Sequence, residues 1–336
     1  MSKFIGRLFN IGFAKETTRG TIAINNQSTY WIPAMSRTWD EEVDTVVDES
    51  SIAVIEDSID SHITSKRAKG SLEAVARDQS LGLILLATMG QEAALGAVET
   101  GVKDHNFTVL ESAQHQSLTV GVNEPNESAG VARCFPLGMI EKFELDFEIG
   151  KFCTYKADIT GQYGQTTTAT VTYTANTTEN IFLPQHGNAY FATTYSGLGS
   201  ASALINLKKG SLSIAKNLEE DQTIGNLSPY DRLNKQFAVE FQLEINYNDR
   251  TMMDTYLLAD AMTSVRFKVL NSDVTIGAVS HPTLTIDLAR TKLQSVARKI
   301  DNNNIVTETI KGKAFYSMSD AIMIKAILRN TITSLY

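Results

Sequence analysis

The sequence predicts a mainly β protein, a β-sandwich or barrel flanked by short helices. Three observations lead there. Val, Ile, Thr and aromatic residues recur in alternating runs, Pro is scarce at 6 of 336 residues, and only two stretches read as helices, both short. Hydrophobic residues make up 43% and charged residues 20%, as in ordinary globular chains. A chain of this length can bury about 70–75% of its unfolded surface and needs no disulfide staples.

Taken in order, Leu8 to Phe13 suits a strand or a short helix, and Thr21 to Ile24 alternates up to a turn signal at Asn25-Asn26. Residues 30–35 form a strand whose Pro33 places it at an edge or a bulge. An acidic excursion, residues 40–62, follows. From Asp40 to Asp60 there are nine acids and no base, yet Val43, Val46, Val47, Ile52, Val54 and Ile55 are interspersed. A disordered tail would lack those β-branched residues, so the pattern favours an extended hairpin arm with one apolar face. Folded on itself it would reach about 40 Å, too far to pack on its own domain, which points to a second copy as receiver. Lys66, Arg67 and Lys69 follow at once as candidate charge partners. A solvated acidic loop is the alternative.

Residues 66–77 alternate as a strand, Asp78 is placed to cap a helix, and SLGLILLATM reads as a buried helix over 79–89 stopped by Gly90. Residues 107–116 and 118–122 read as strands, and the turn cluster at 123–130 marks a boundary. Phe143, Leu145, Phe147 and Ile149 then share one face of a strand that turns at Gly150 and returns over 152–160. Further strands are expected at 166–173, near Tyr190, and at 211–215, 237–247, 265–270, 283–293, 305–317 and 322–328, with a second helix over 250–262. Residues 1–130 and 131–336 can thus be two halves or one continuous subunit. A strand, an Asp and a short helix occur at 70–90 and again at 237–262. Internal duplication and coincidence both stay open.

No chemistry stands out. None of the five histidines has the HxH or HExxH spacing of a metal site, or lies near a cysteine. Ser213 and Lys216 have the SxxK spacing of acyl-transfer enzymes, but the segment reads as a strand and no KTG follows. The carboxylates cluster on one projecting segment, a poor place to hold a catalytic pair, and a calcium site there would lack the DxDxDG pattern. Cys134 and Cys153 form no CxxC and read as two buried thiols, a disulfide being the minority alternative. No apolar run reaches 18 residues, so no transmembrane helix is expected. The formal charge of −8 argues against adhesion to nucleic acid. We expect no enzyme activity, no metal and no cofactor.

YWIPAMS at 30–36, DESSIAVIEDS at 48–58 and GSLEAVARDQSLGLILLATMG at 70–90 resemble the N-terminal part of the tail tube protein family of long-tailed phages. TIDLARTKLQS at 285–295, IVTETIKGKAFYS at 305–317 and the closing LRNTITSLY resemble its last strands. Residues 160–235 match only by β character. The resemblance implies a virion structural protein, made in the host cytoplasm, whose rings stack with other tail proteins into a hollow tube. That tube passes double-stranded DNA into the host without specific binding. In the family a long loop between early strands bridges stacked rings. Carried onto this chain, that role falls on Asp40, Glu41, Glu42, Val43, Val46, Val47, Asp48, Ile52, Val54, Ile55, Glu56 and Asp57. The ring would be a hexamer, or a trimer if the unit is duplicated. The alternatives are a receptor-binding or decoration module using the aromatic loop from Tyr190 to Tyr195, and, more weakly, a carboxylate hydrolase.

Overall fold

The computed structural model describes residues 3–24, 29–93, 95–125, 133–166, 173–204 and 206–336. The expected turn at Asn25-Asn26, most of the strand at 166–173 and residues 126–130 of the turn cluster lie outside them. The chain is mainly β. Its first elements are β1 (Asn10–Lys15), β2 (Tyr30–Ile32), β3 (Ala34–Asp48), β4 (Asp60–Val75), the helix α1 (Ser80–Met89), β5 (Gly90–Glu92), β6 (Gly96–Glu99), β7 (Val102–Val109) and β8 (Leu118–Asn123). Then come β9 (Arg133–Glu148), β10 (Thr154–Gln162), β11 (Gln165–Thr166), β12 (Gly187–Ala192), β13 (Leu207–Asp221) and β14 (Asp231–Asn246). The last are β15 (Thr263–Leu270), β16 (Thr283–Lys299), β17 (Thr307–Phe315) and β18 (Ile324–Asn330).

Among the described residues all the strand pairs are antiparallel. One row runs β3–β4–β10–β9–β13–β14–β17–β16. The second half of β16 pairs with β17, while its first half pairs with β15 and β18, so one strand serves two sheets. The second sheet continues from β15 to β12, and from β18 to β7, which carries β5 and β6. β9 makes a similar corner. Its first residues join β8, β8 joins β1, and β1 joins β2. The β4–β10 and β7–β18 pairs join residues on either side of position 130.

The core lies between these sheets. Phe147 and Phe241 meet Phe267 edge-on across the gap, at 5.9 and 6.0 Å between ring centroids. Every residue of α1 is buried, which suits a helix apolar on all faces. At about 1.5–3 kcal/mol for each fully buried Leu or Ile, this helix anchors the fold. Asp78 does not cap it. The helix begins one residue later than that requires, and Glu179 accepts the Ser80 N–H instead. Asp78 holds Asn180 through the backbone N–H and Nδ2, both at 2.8 Å. At the other end Gly90, at φ +97°, closes the helix, and Lys216 from β13 donates to the Ala87 carbonyl at 2.8 Å. That buried amine, whose pKa burial lowers to about 7, faces the negative end of the helix dipole.

Near the N-terminus, buried Glu16 accepts from Gly20 N–H, Leu137 N–H, Ser117 Oγ and Thr119 Oγ1, tying the first strand to β8 and β9. The helix expected over 250–262 is shorter and wider: a π-helix of seven residues, Met252–Leu258. An Ala261 N–H to Tyr256 carbonyl bond and Asp260 at φ 49° end it. Ile149, expected on the buried face with Phe147, lies in the turn after β9 and is exposed.

Candidate functional site

β3 and β4 pair along their whole length, from Ala34 opposite Ala74 to Asp48 opposite Asp60. β10 accompanies β4 only from Val75 to Arg67. Beyond Lys66 the two strands continue without a third among the described residues, as a ribbon of which Val43–Asp48 alone measures about 20 Å. The tip is closed by the Ile59 N–H on the Asp48 carbonyl at 2.9 Å. The hydrogen bonds from Ser50 to the Asp48 carboxylate hold that acid below its usual range.

Alternation sorts the arm into two faces. Asp40, Glu42, Asp44 and Asp48 share one, opposite Lys69, Arg67, Ser65 and Asp60. Val43, Thr45 and Val47 share the other, opposite Lys66, Ile63 and Ser61. A register shift at Asp44/Thr45 leaves Thr64 as the extra residue, so the faces stay sorted through the bulge. Val46 departs from the expected single apolar face, since it stands on the charged one. Ile52, Val54, Ile55, Glu56 and Asp57 are in the tip and exposed.

The base is fixed by contacts that sequence reading did not find. Trp39 meets Phe135 edge-on at 5.3 Å. Glu41 accepts Arg133 Nη2 and the Gly164 N–H, each at 2.7 Å. Partial burial works against ionisation of Glu41, but these donors hold its pKa below the usual range. Of the expected charge partners, Arg67 bonds Glu42 at 3.2 Å and Asp44 at 2.6 Å, with Glu220 at 3.9 Å. Lys69 pairs with Glu141 at 3.6 Å, and Lys66 lies over the Tyr163 ring at 5.9 Å. The Lys66 N–H also bonds the Leu227 carbonyl, so the loop between β13 and β14 braces the arm. These contacts join strands far apart in sequence, where no local signal exists.

Above this base the arm has little cover. Val43, Val46, Val47, Ile52, Val54, Ile55, Ile59 and Ile63 are all exposed. A two-stranded ribbon is marginal alone in water, and a cluster of exposed Val and Ile marks a contact surface. Covering these side chains would stabilise by about 1 kcal/mol each.

The other sequence candidates do not form sites. Ser213 and Lys216 lie three apart on β13, so they face opposite sides of the sheet. The presumed aromatic loop near Tyr190 is β12, paired to β15, with Phe191 packed on Tyr256. Cys134 and Cys153 are buried in different apolar clusters, with no disulfide between them. Among the described residues no three His, Cys, Asp or Glu side chains gather as a metal would require. Nor is any helix among them long and apolar enough to cross a membrane.

The family model described as phage tail tube protein matches residues 6–314. A solved structure titled "Crystal structure of Hcp protein" is similar over 43% of this chain and 97% of that chain, at 9% identity and a TM-score of 0.23. No curated protein matches the sequence.

Proposed function

Because the chain belongs to the phage tail tube protein family, we propose that it self-assembles into rings that stack through the arm at 40–62 into a hollow tube. The protein is a structural component of the phage tail, and we assign it no catalytic role. The observation that carries the stacking role is the arm itself. It is a braced, fully paired ribbon that leaves its own subunit behind while exposing eight Val and Ile side chains. Its carboxylates would set register on the neighbouring copy, with Arg67, and beside it Lys66 and Lys69, stiffening the root.

Ring closure has its own support. β3 pairs on one side only among the described residues, leaving a strand edge for a neighbour to cover. The ring is a hexamer, or a trimer of pseudo-sixfold form if the unit is duplicated, and the mass per ring separates them. The tube conducts double-stranded DNA into the host. A conduit must not bind its cargo, and six copies at −8 each would carry roughly −48 in all, which repels phosphate.

Electron microscopy of the purified protein tests this reading. Rings or tubes of uniform width are expected. A strictly monomeric protein at high concentration, even beside tail initiator proteins, would overturn it.

A further inference from the structure

We infer that the arm of one copy seats on the far end of a second copy, against Ile149, Phe152, Ile300 and Ile305. This rests on the stacking reading above and adds the receiving surface to it.

Strand direction places the two surfaces. The arm leaves the row β4–β10–β9–β13–β14–β17–β16 at the end where β13 passes into β14. Lys209 pairs with Glu148, Asn246 with Thr307 and Lys299 with Thr307, so the turns after β9 and β16 both project from the opposite end. Those turns carry four uncovered large apolar side chains: Ile149 is 67% exposed, Phe152 51%, Ile300 75% and Ile305 73%. They flank a stretch of backbone that includes the Ile149 N–H to Lys208 carbonyl bond. The charges agree with the pairing. Lys208 and Lys299, at this end, enter no ion pair among the described residues, while the facing arm carries nine acids and no base from Asp40 to Asp60.

The acids of the arm disfavour the reverse arrangement. The hairpin beside the arm adds little to this, since its Glu219 and Glu220 are paired with Lys235 and Arg232. Two copies meeting by the arm end would oppose the carboxylates of both arms. Only a head-to-tail contact joins unlike ends, and such a contact repeats without closing, as a growing tube requires.

Cysteine pairs test the docking in pelleted tubes. With mild oxidation, the chain carrying Ile55→Cys and Ile305→Cys should give a ladder of covalent multimers on a non-reducing gel. The pair Ile55→Cys and Ile224→Cys, which places both thiols at the arm end, should give about tenfold less. A ladder from the second pair and none from the first overturns the docking. Because Ile300 and Ile305 lie in an exposed turn, Ile300→Asp with Ile305→Asp should leave the circular dichroism and the rings intact and abolish tubes. Normal tubes from that variant also overturn the docking. A wild-type protein that yields no tubes at all overturns the stacking reading, and the docking with it.

Discussion

Arg67 lies opposite Glu42 in the arm yet grips Asp44, two residues further on, with Nη1 at 2.6 Å from Oδ2 and Nη2 at 3.2 Å from Oδ1. A bidentate clasp of this kind aligns two strands as well as attracting them. It sits where β10 stops supporting the ribbon. Both partners are part-exposed, so the pair itself is worth about 0–1 kcal/mol. Arg67→Ala should therefore leave global stability almost unchanged while loosening the arm. Hydrogen exchange should quicken at Val43 to Asp48 and stay constant in β9 and β13. Uniform quickening through the sheet would show that the clasp supports the fold and not the arm.

The fit of Gly82 against Tyr336 sets two effects in opposition. Replacing Gly by Ala inside a helix gains about 1 kcal/mol of propensity. Here a methyl group would stand 2.1 Å from Tyr336 Cζ, and that ring is held by its own hydroxyl, bonded to Gln79 O and Asn330 Nδ2. Overpacking of this severity costs about 1–3 kcal/mol or more, so it wins. Gly82→Ala should lower the urea midpoint. A raised midpoint would mean that Tyr336 does not occupy this place.

Acid sensitivity should trace to His115. Burial, reinforced by the Lys216 ammonium beside it, lowers its pKa from 6.5 to about 4. Between those values the unfolded chain binds the proton that the folded chain refuses. The contribution to stability is thus complete above about pH 6.5 and is lost as the pH falls toward 4. At about 1.4 kcal/mol per pH unit, its size is at most about 3.5 kcal/mol. His115→Gln should flatten the decline in unfolding free energy between pH 7 and 4.5. An equal decline in both proteins would assign the sensitivity elsewhere.

Much of the fold was legible in the chain. The alternation of Phe143, Leu145 and Phe147 locates β9, Gly150 its turn, and the uninterrupted apolar run of 81–86 locates α1. Legibility failed where burial is absent or long-range. β3 extends to Asp48 with both faces exposed, so the arm was legible as an extended hairpin while no apolar rhythm marked where its strands end. Residues 322–328 were shifted against the observed Ile324–Asn330 because partners on β7 and β16, distant in sequence, fix the ends of β18. Of the candidate site, the apolar and acidic residues of the arm were legible by composition. Trp39, Arg133, Tyr163 and Leu227, which hold its base, were not, since each gains its place only through tertiary pairing.

The central claim is that the arm turns rings into a tube, and electron microscopy of an arm-trimmed chain tests it most directly. Replacing residues 45–64 by Asn-Gly joins Asp44 to Ser65, a pair already in register, and keeps the Arg67 clasp. The account predicts a protein that melts like the wild type and forms rings that do not stack. Tubes of wild-type length and abundance from the trimmed chain would contradict it.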